Sequence, residues 1–166
     1  MKKLFPLFLI LAVSMVFAVD MKDKMGIGVG WMVGSETFAP NVVILKKALG
    51  EKLVLEPVLN FWYTKNGDAN YNFDLQVLFA YAIKAHEKTN FYAKAGISFG
   101  MMKTPKITSF GIPLGLGLEH FISEHFSVDL NHVMGFGYTK YDDDDSNEMK
   151  FTITTIDLNA GLVWYY

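Results

Sequence analysis

The chain has 166 residues, a formal net charge of −2 and no cysteine. Because all 15 basic residues are lysines, no guanidinium cluster or basic patch points to nucleic acid. The absence of cysteine excludes both a disulfide framework and a cysteine-linked lipid anchor. A chain of this length fits one domain.

The amino terminus has the pattern of a secretory signal peptide. Lys2 and Lys3 precede an apolar run over residues 4–17, and a cleavage site follows at Ala18. We therefore expect residues 1–18 to be removed, which leaves a single mature domain over residues 19–166. The apolar run is shorter than the roughly 20 residues of a transmembrane helix. No other apolar stretch is longer, so passage through a membrane would have to use β-strands.

Eight segments of the mature chain alternate between apolar and polar or small residues, which is the period of a β-strand. The first is rich in glycine, but neither a helical pattern nor a Gly-Lys-Ser/Thr sequence follows it, so a phosphate-binding loop is not predicted. The second is the least regular, because residues 42–45 are continuously apolar and Lys46 and Lys47 place a charge on each face. We predict strands over residues 25–34, 40–49, 52–64, 71–84, 90–102, 107–122, 126–140 and 151–166.

The last strand and the connections predict how these strands are arranged. Leu162, Trp164 and Tyr166 share an apolar face, and Asp157 and Asn159 share the other. Connections alternate between short and longer ones, as in outer-membrane barrels with short periplasmic turns and longer outer loops. The sequence thus predicts an all-β fold, an eight-stranded antiparallel up-and-down transmembrane β-barrel. The last strand pairs with the first so that no edge stays open.

The composition of the two faces predicts which one meets lipid. The polar face is rich in glycine and alanine and poor in charge, so it would make a poor surface for water. The apolar face carries most of the large aromatic residues near the strand ends, as in the aromatic girdles of membrane barrels. We therefore expect the apolar face to point outward. The alternative is a soluble, lipocalin-like periplasmic barrel whose apolar face points inward.

The polar face then lines a lumen that is narrow enough to be filled by side chains. Buried charges must be paired, and we expect Lys94 to pair with Glu56, Asp74 or Glu119 at the centre of the lumen. Lys84 is expected to point inward as well. A structural polar network is favoured over an ion or proton path, which so few strands disfavour. The predicted network contains Glu56, Asp74, Lys94, Glu119, Asp129 and Asp157.

With its signal peptide, alternating strands and aromatic carboxyl terminus, the chain resembles the small outer-membrane barrels of the OmpX type and the OmpA transmembrane domain. The resemblance covers the whole mature chain. It implies that the strand ending in Leu162, Trp164 and Tyr166 is read by the barrel assembly machinery, a transient partner. Arginine, frequent in the luminal networks of that family, is absent here. No peptidoglycan-binding domain follows Tyr166, so we expect no anchoring to the cell wall.

Two groups of residues have side chains of the types used in catalysis or metal binding. His125, Ser127 and Asp129 are the nearest approach to a hydrolase set, but His125 falls in a turn and Ser127 points to the lumen, so activation of a nucleophile is not supported. The acidic run Asp142–Asp145, with Glu148, lacks the spacing of a calcium loop. It is more typical of a solvated loop. We predict no catalytic, cofactor-binding or metal-binding residues.

These patterns predict a non-enzymatic integral protein of the bacterial outer membrane with a structural or surface-interaction role. The expected partners are outer-membrane lipid, including lipopolysaccharide, and the assembly machinery. Nucleic acid is not expected as a partner, and the barrel is expected to be a monomer. The alternatives are a barrel enzyme acting on envelope lipid and a narrow pore.

Overall fold

The computed structural model describes residues 23–32, 41–66, 68–86, 88–143 and 146–166. The predicted signal peptide lies outside this range. Eight strands account for almost all of the described chain: β1 Met25–Met32, β2 Val42–Ala48, β3 Leu53–Asn66, β4 Asp68–His86, β5 Thr89–Met102, β6 Ile107–Ser123, β7 Phe126–Asp143 and β8 Ser146–Tyr165. No helix of the described residues is long and apolar enough to cross a membrane.

The strands form a closed antiparallel barrel in sequence order. Gly26 pairs with Tyr165, and Gly30 pairs with Gly161, so β8 returns to β1. The amide of Tyr166 also donates to the carbonyl of Met25 at 3.0 Å. Closure satisfies the backbone hydrogen bonds that an open edge would leave unpaired. The predicted fold class and the predicted pairing of the last strand with the first are confirmed.

The barrel has two different ends. The turn end holds residues 49–52, residue 88 and residues 124–125, together with the first residues of β1 and the last residues of β8. The loop end holds the turn at residues 103–106 and the tips of the β3–β4 and β7–β8 hairpins. At this end the strands are longer than predicted, since Asn66 pairs with Asp68 and Asp143 with Ser146. The backbone ladder continues there although the apolar alternation has stopped.

The exterior is apolar and the interior is polar. On β8, Trp164 is 54% exposed whereas Tyr165 is fully buried. On β6 the outward row includes Phe110, Ile112 and Leu116, the last of which is 61% exposed. A soluble barrel would bury such a row, so this surface is suited to lipid.

Irregularities in the strand register change which face a residue occupies. The β4–β5 register shifts between Ala82 and Lys84, and the extra residue of such a bulge reverses the alternation beyond it. Lys84 is consequently exposed, and the prediction that it points inward is wrong. The β6–β7 register shifts between Phe121 and Ser123, and the β7–β8 register shifts between Val133 and Gly135. Beyond the β7–β8 shift, the exposed residues of β8 change from even positions such as Trp164 to odd positions such as Phe151.

Candidate functional site

Five charged side chains meet inside the turn-end half of the barrel. They lie on the luminal rows of β2, β3, β5, β6 and β7, which a narrow barrel brings within reach of one another. None is more than 3% exposed. We call this group the charge cluster, and it consists of Lys46, Glu56, Lys94, Glu119 and Asp129.

Lys94 is held by three acceptor atoms. Its Nζ donates to the two carboxylate oxygens of Glu56 at 2.6 and 2.7 Å, and it also donates to the side-chain oxygen of Asn131. The lysine stem passes over Gly117, where an added Cβ would lie 2.5 Å from the Cε of Lys94. A glycine at position 117 therefore leaves the space in which Lys94 crosses the lumen.

Lys46 joins the remaining carboxylates. Its Nζ lies 3.0 Å from an oxygen of Asp129, 3.1 Å from one of Glu119 and 3.6 Å from one of Glu56. Lys46 was not predicted to lie in the lumen. The signal was present in the even positions of β2, where Val42, Ile44, Lys46 and Ala48 are all buried. The continuous apolar run at residues 42–45 obscured it.

Hydroxyl groups complete the surroundings of Glu119. The Oε1 atom accepts from the Tyr165 hydroxyl at 2.5 Å and from Ser127 at 2.7 Å. The Oε2 atom accepts from Tyr92 at 3.2 Å. These donors replace the water that a buried carboxylate loses. They help to accommodate the formal charge of −1 that three carboxylates and two lysines leave.

An apolar layer closes the lumen on the turn-end side of the charge cluster. Ala48, Phe121, Val163 and Tyr165 form a buried group there. The rings of Phe121 and Tyr165 are 5.5 Å apart. Tyr165 links the apolar layer to the charge cluster, because its ring packs on Phe121 while its hydroxyl donates to Glu119. The charge cluster and this layer together fill the turn-end half of the barrel.

Asp74 lies apart from the charge cluster, in the loop-end half of the lumen. Its carboxylate accepts a hydrogen bond from Gln76 at 3.0 Å. It lines two cavities of about 200 and 250 Å³. The side chain of Asp157 lies outside the described residues, although its backbone pairs with Val133. The structure thus brings four of the six predicted network residues together: Glu56, Lys94, Glu119 and Asp129.

The predicted assembly-signal residues lie on the barrel exterior at the turn end. Trp164 and Tyr166 are strongly exposed, and Leu162 is half-buried. The ring of His125 stacks on Trp164 with the centroids 5.9 Å apart.

His125 and Ser127 are engaged separately. The Nδ1 of His125 lies 3.1 Å from the carbonyl oxygen of Tyr165, whereas the hydroxyl of Ser127 donates to Glu119 inside the lumen. Ser127 is also fully buried. The two side chains do not form a nucleophile and base pair.

The acidic run is described only in part. Asp142 lies 2.7 Å from Lys140 and 3.5 Å from Lys106. The hydrogen bond from Lys140 lowers the pKa of this partly exposed carboxyl below its usual value. Asp144 and Asp145 lie outside the described residues. Within the described part of the chain, no three histidines or carboxylates are grouped so that they could hold a metal ion.

Comparison with solved structures shows what the fold is similar to. The outer membrane protein OprG from Pseudomonas aeruginosa is similar with a TM-score of 0.52 and 12% identity, over 92% of this chain and 98% of that one. Neisserial surface protein A is similar with a TM-score of 0.50 and 10% identity, over 86% of this chain and 94% of that one. The chain therefore has the fold of the small outer-membrane barrels, which agrees with its apolar exterior.

Sequence comparison adds the family. No curated protein matches the chain significantly. A family model does match, over residues 7–164, and its description is "Domain of unknown function (DUF2715)". Since this match covers most of the sequence, the chain belongs to the DUF2715 family.

Proposed function

We propose that the protein is a non-enzymatic, closed barrel of the bacterial outer membrane. In this role it contributes to the structure of the envelope and presents its loop end at the cell surface. The observation that carries the proposal is the charge cluster with the apolar layer beneath it, because together they fill the turn-end half of the lumen.

A filled lumen opposes the passage of solutes. An ion that crossed it would have to separate Lys46 from Asp129 and Glu119, or Lys94 from Glu56, all of which are buried. Removing one partner of a buried ion pair leaves an uncompensated charge. Eight strands also leave little room for a detour around the side chains.

Conductance measurements test this part of the proposal. The refolded barrel, reconstituted in a planar bilayer, is expected to show no discrete openings. A porin inserted by the same procedure serves as the positive control. Openings whose conductance rises with salt concentration would contradict the closed barrel and would support the narrow pore instead.

The absence of enzymatic activity is proposed from the positions of His125 and Ser127. Ser127 is buried and donates its hydroxyl to Glu119, so it does not face the lipid in which a phospholipid or lipid A substrate would lie. We expect no release of fatty acid when the barrel is reconstituted in vesicles containing either lipid.

The proposed partners are outer-membrane lipid, including lipopolysaccharide, which would surround a monomeric barrel, and the barrel assembly machinery. Because Trp164 and Tyr166 point away from the lumen, they are not needed to fill it and could serve as a signal for the machinery that receives the chain. Their substitution should affect assembly in the cell more than the folded state itself.

A prediction separates these two effects. Trp164→Ala and Tyr166→Ala should lower the amount of heat-modifiable, folded barrel in the outer membrane. Refolding of the same variants in detergent should remain efficient, since neither side chain fills the core. Tyr138→Ala is the matched control, because Tyr138 is an equally exposed aromatic at the loop end. If all three variants reduced the amount of folded barrel in cells equally, an assembly signal in the last strand would be contradicted.

A further inference from the structure

The loop-end half of the lumen contains open space. Two cavities of about 200 and 250 Å³ lie there, and Ser109 lines both of them. We call them the loop-end cavities. Gly100 leaves room beside the Ser109 hydroxyl, since an added Cβ at position 100 would lie 2.5 Å from that oxygen. The hydroxyl is therefore within reach of a small molecule that enters from the loop end.

The described residues that line these cavities offer mostly groups that both donate and accept hydrogen bonds. Asp74 also lines both cavities, but its carboxylate already accepts a hydrogen bond from Gln76, so no ligand contact is assigned to it. The side-chain oxygen of Asn60 is buried and accepts no hydrogen bond within the described part of the chain. Amides and hydroxyls match an uncharged ligand with several hydroxyl groups. These lining groups belong to Asn60, Asn72, Gln76, Ser98, Ser109 and Thr139.

An exposed tryptophan lies at the rim of these cavities. Trp62 continues the luminal row of β3, on which Glu56 and Val58 are buried, and the β3–β4 register runs through it without a shift. It lies directly opposite Asn72, which lines the second cavity. Trp62 is nevertheless 42% exposed. Because a residue on the luminal row does not face lipid, the aromatic girdle of a membrane barrel does not account for this exposed ring.

We propose that the loop-end cavities and Trp62 form a binding site for a neutral saccharide. A sugar ring has an apolar C–H face that packs against an indole, and its edge carries hydroxyl groups that both donate and accept hydrogen bonds. Trp62 receives the face, while Asn60, Asn72 and Ser109 bind the hydroxyl groups. Each cavity is smaller than the roughly 300 Å³ at which pockets for drug-sized ligands begin, which suits a single sugar ring. The site rests on the proposed function only in that the loop end lies at the cell surface.

The experiment uses the refolded barrel in dodecylphosphocholine micelles, which contain no sugar headgroup. NMR follows the backbone amide signals of residues 60, 72 and 109 and the indole N–H signal of Trp62. The methyl glycosides of glucose, galactose, mannose and N-acetylglucosamine are each titrated to about 100 mM, a range suited to a weak, millimolar affinity. Sorbitol is the ligand control, because it carries several hydroxyl groups but has no ring. The indole signal of Trp164, which lies at the turn end, should not shift.

Three variants test the contacts. Trp62→Ala should weaken binding by about tenfold or more, as expected for loss of a central tryptophan contact. Ser109→Ala removes one hydroxyl group and should weaken binding by about threefold to tenfold. Tyr63→Ala is the matched control, because Tyr63 is the neighbouring exposed aromatic on the outward row of β3, and it should change the affinity by less than about twofold. Heat-modifiable migration verifies that each variant is folded.

The proposal is supported by saturable shifts with at least one glycoside, provided that both Trp62→Ala and Ser109→Ala weaken its binding. It is overturned if no glycoside gives saturable shifts, if sorbitol produces the same shifts, or if the Trp164 indole signal shifts equally. Unchanged affinity in either Trp62→Ala or Ser109→Ala overturns it as well, and so does an equal loss in Tyr63→Ala. Conductance of the same preparation is measured without ligand, so failure of this site and failure of the closed barrel remain distinguishable.

Discussion

Replacement of Lys46 by methionine is expected to destabilise the barrel by about 3–5 kcal/mol, the range for breaking a buried ion pair on one side. Methionine retains much of the volume but removes the positive charge that lies within 3.1 Å of both Asp129 and Glu119. These carboxylates would then stay buried with one cation fewer. The free energy of unfolding is measured by urea titration in lipid vesicles, with heat-modifiable migration as the readout.

Lys47→Met is the matched control for this variant. Lys47 is the next residue of β2, but it lies on the opposite row of the strand and has no place in the charge cluster. Its replacement should change the free energy of unfolding by no more than about 0.5 kcal/mol. Equal destabilisation by Lys46→Met and Lys47→Met would mean that the effect comes from β2 itself and not from the buried charges.

A double variant sharpens the test. Asp129→Asn removes one of the carboxylates that Lys46 neutralises, and it keeps nearly the same shape. If the two residues interact as the 3.0 Å distance indicates, Lys46→Met combined with Asp129→Asn should cost less stability than the sum of the single variants. If the stability losses of the two single variants simply add, Lys46 is stabilised by contacts other than the one with Asp129.

Gly96→Ala is expected to lower the free energy of unfolding by about 1–3 kcal/mol, the usual range for overpacking. Gly96 is a luminal residue of β5 opposite Leu78. A Cβ at this position would lie 2.0 Å from the carbonyl oxygen of Val77 and 2.9 Å from the Cα of Leu78. Because both atoms belong to the backbone of β4, relief requires the strand to move rather than a side chain to rotate.

Gly50→Ala controls for the general effect of replacing glycine. Gly50 lies in a turn at the turn end, and an added Cβ there meets no atom within 4 Å. Since alanine also restricts the unfolded chain, this variant should be neutral or more stable by up to about 1 kcal/mol. Urea unfolding in vesicles compares the two variants. A Gly96→Ala barrel as stable as the Gly50→Ala barrel would show that β4 moves aside at little cost.

Much of the fold follows from the alternation of residues. Trp164 points outward and Tyr165 inward, and Leu116 and Gly117 differ in the same way. Both differences are already visible in the period of the strands. That period separated the outward row from the luminal one. It also placed Glu56, Lys94, Glu119 and Asp129 on the luminal row.

The alternation could not predict which luminal residues meet. Lys94 had three candidate partners in the sequence, and the stagger between β3 and β5 selects Glu56. Lys46 was missed because its strand has no clear period over residues 42–45. Lys84 was misplaced because a bulge leaves no trace in the apolar pattern. The loop-end cavities lined by Asp74 and Ser109 depend on the combined volumes of residues from several strands, which no single segment reveals.

The ladder between β1 and β8 also constrains when the protein can fold. Contacts between the two ends of a chain form slowly, because a long intervening segment must first be ordered. The luminal contacts of Tyr165 with Glu119 and of Lys46 with Asp129 also join residues that are 46 and 83 positions apart. The interior therefore cannot be completed before the carboxyl-terminal strands are available. We expect the chain to reach its membrane unfolded and to acquire its polar interior only there.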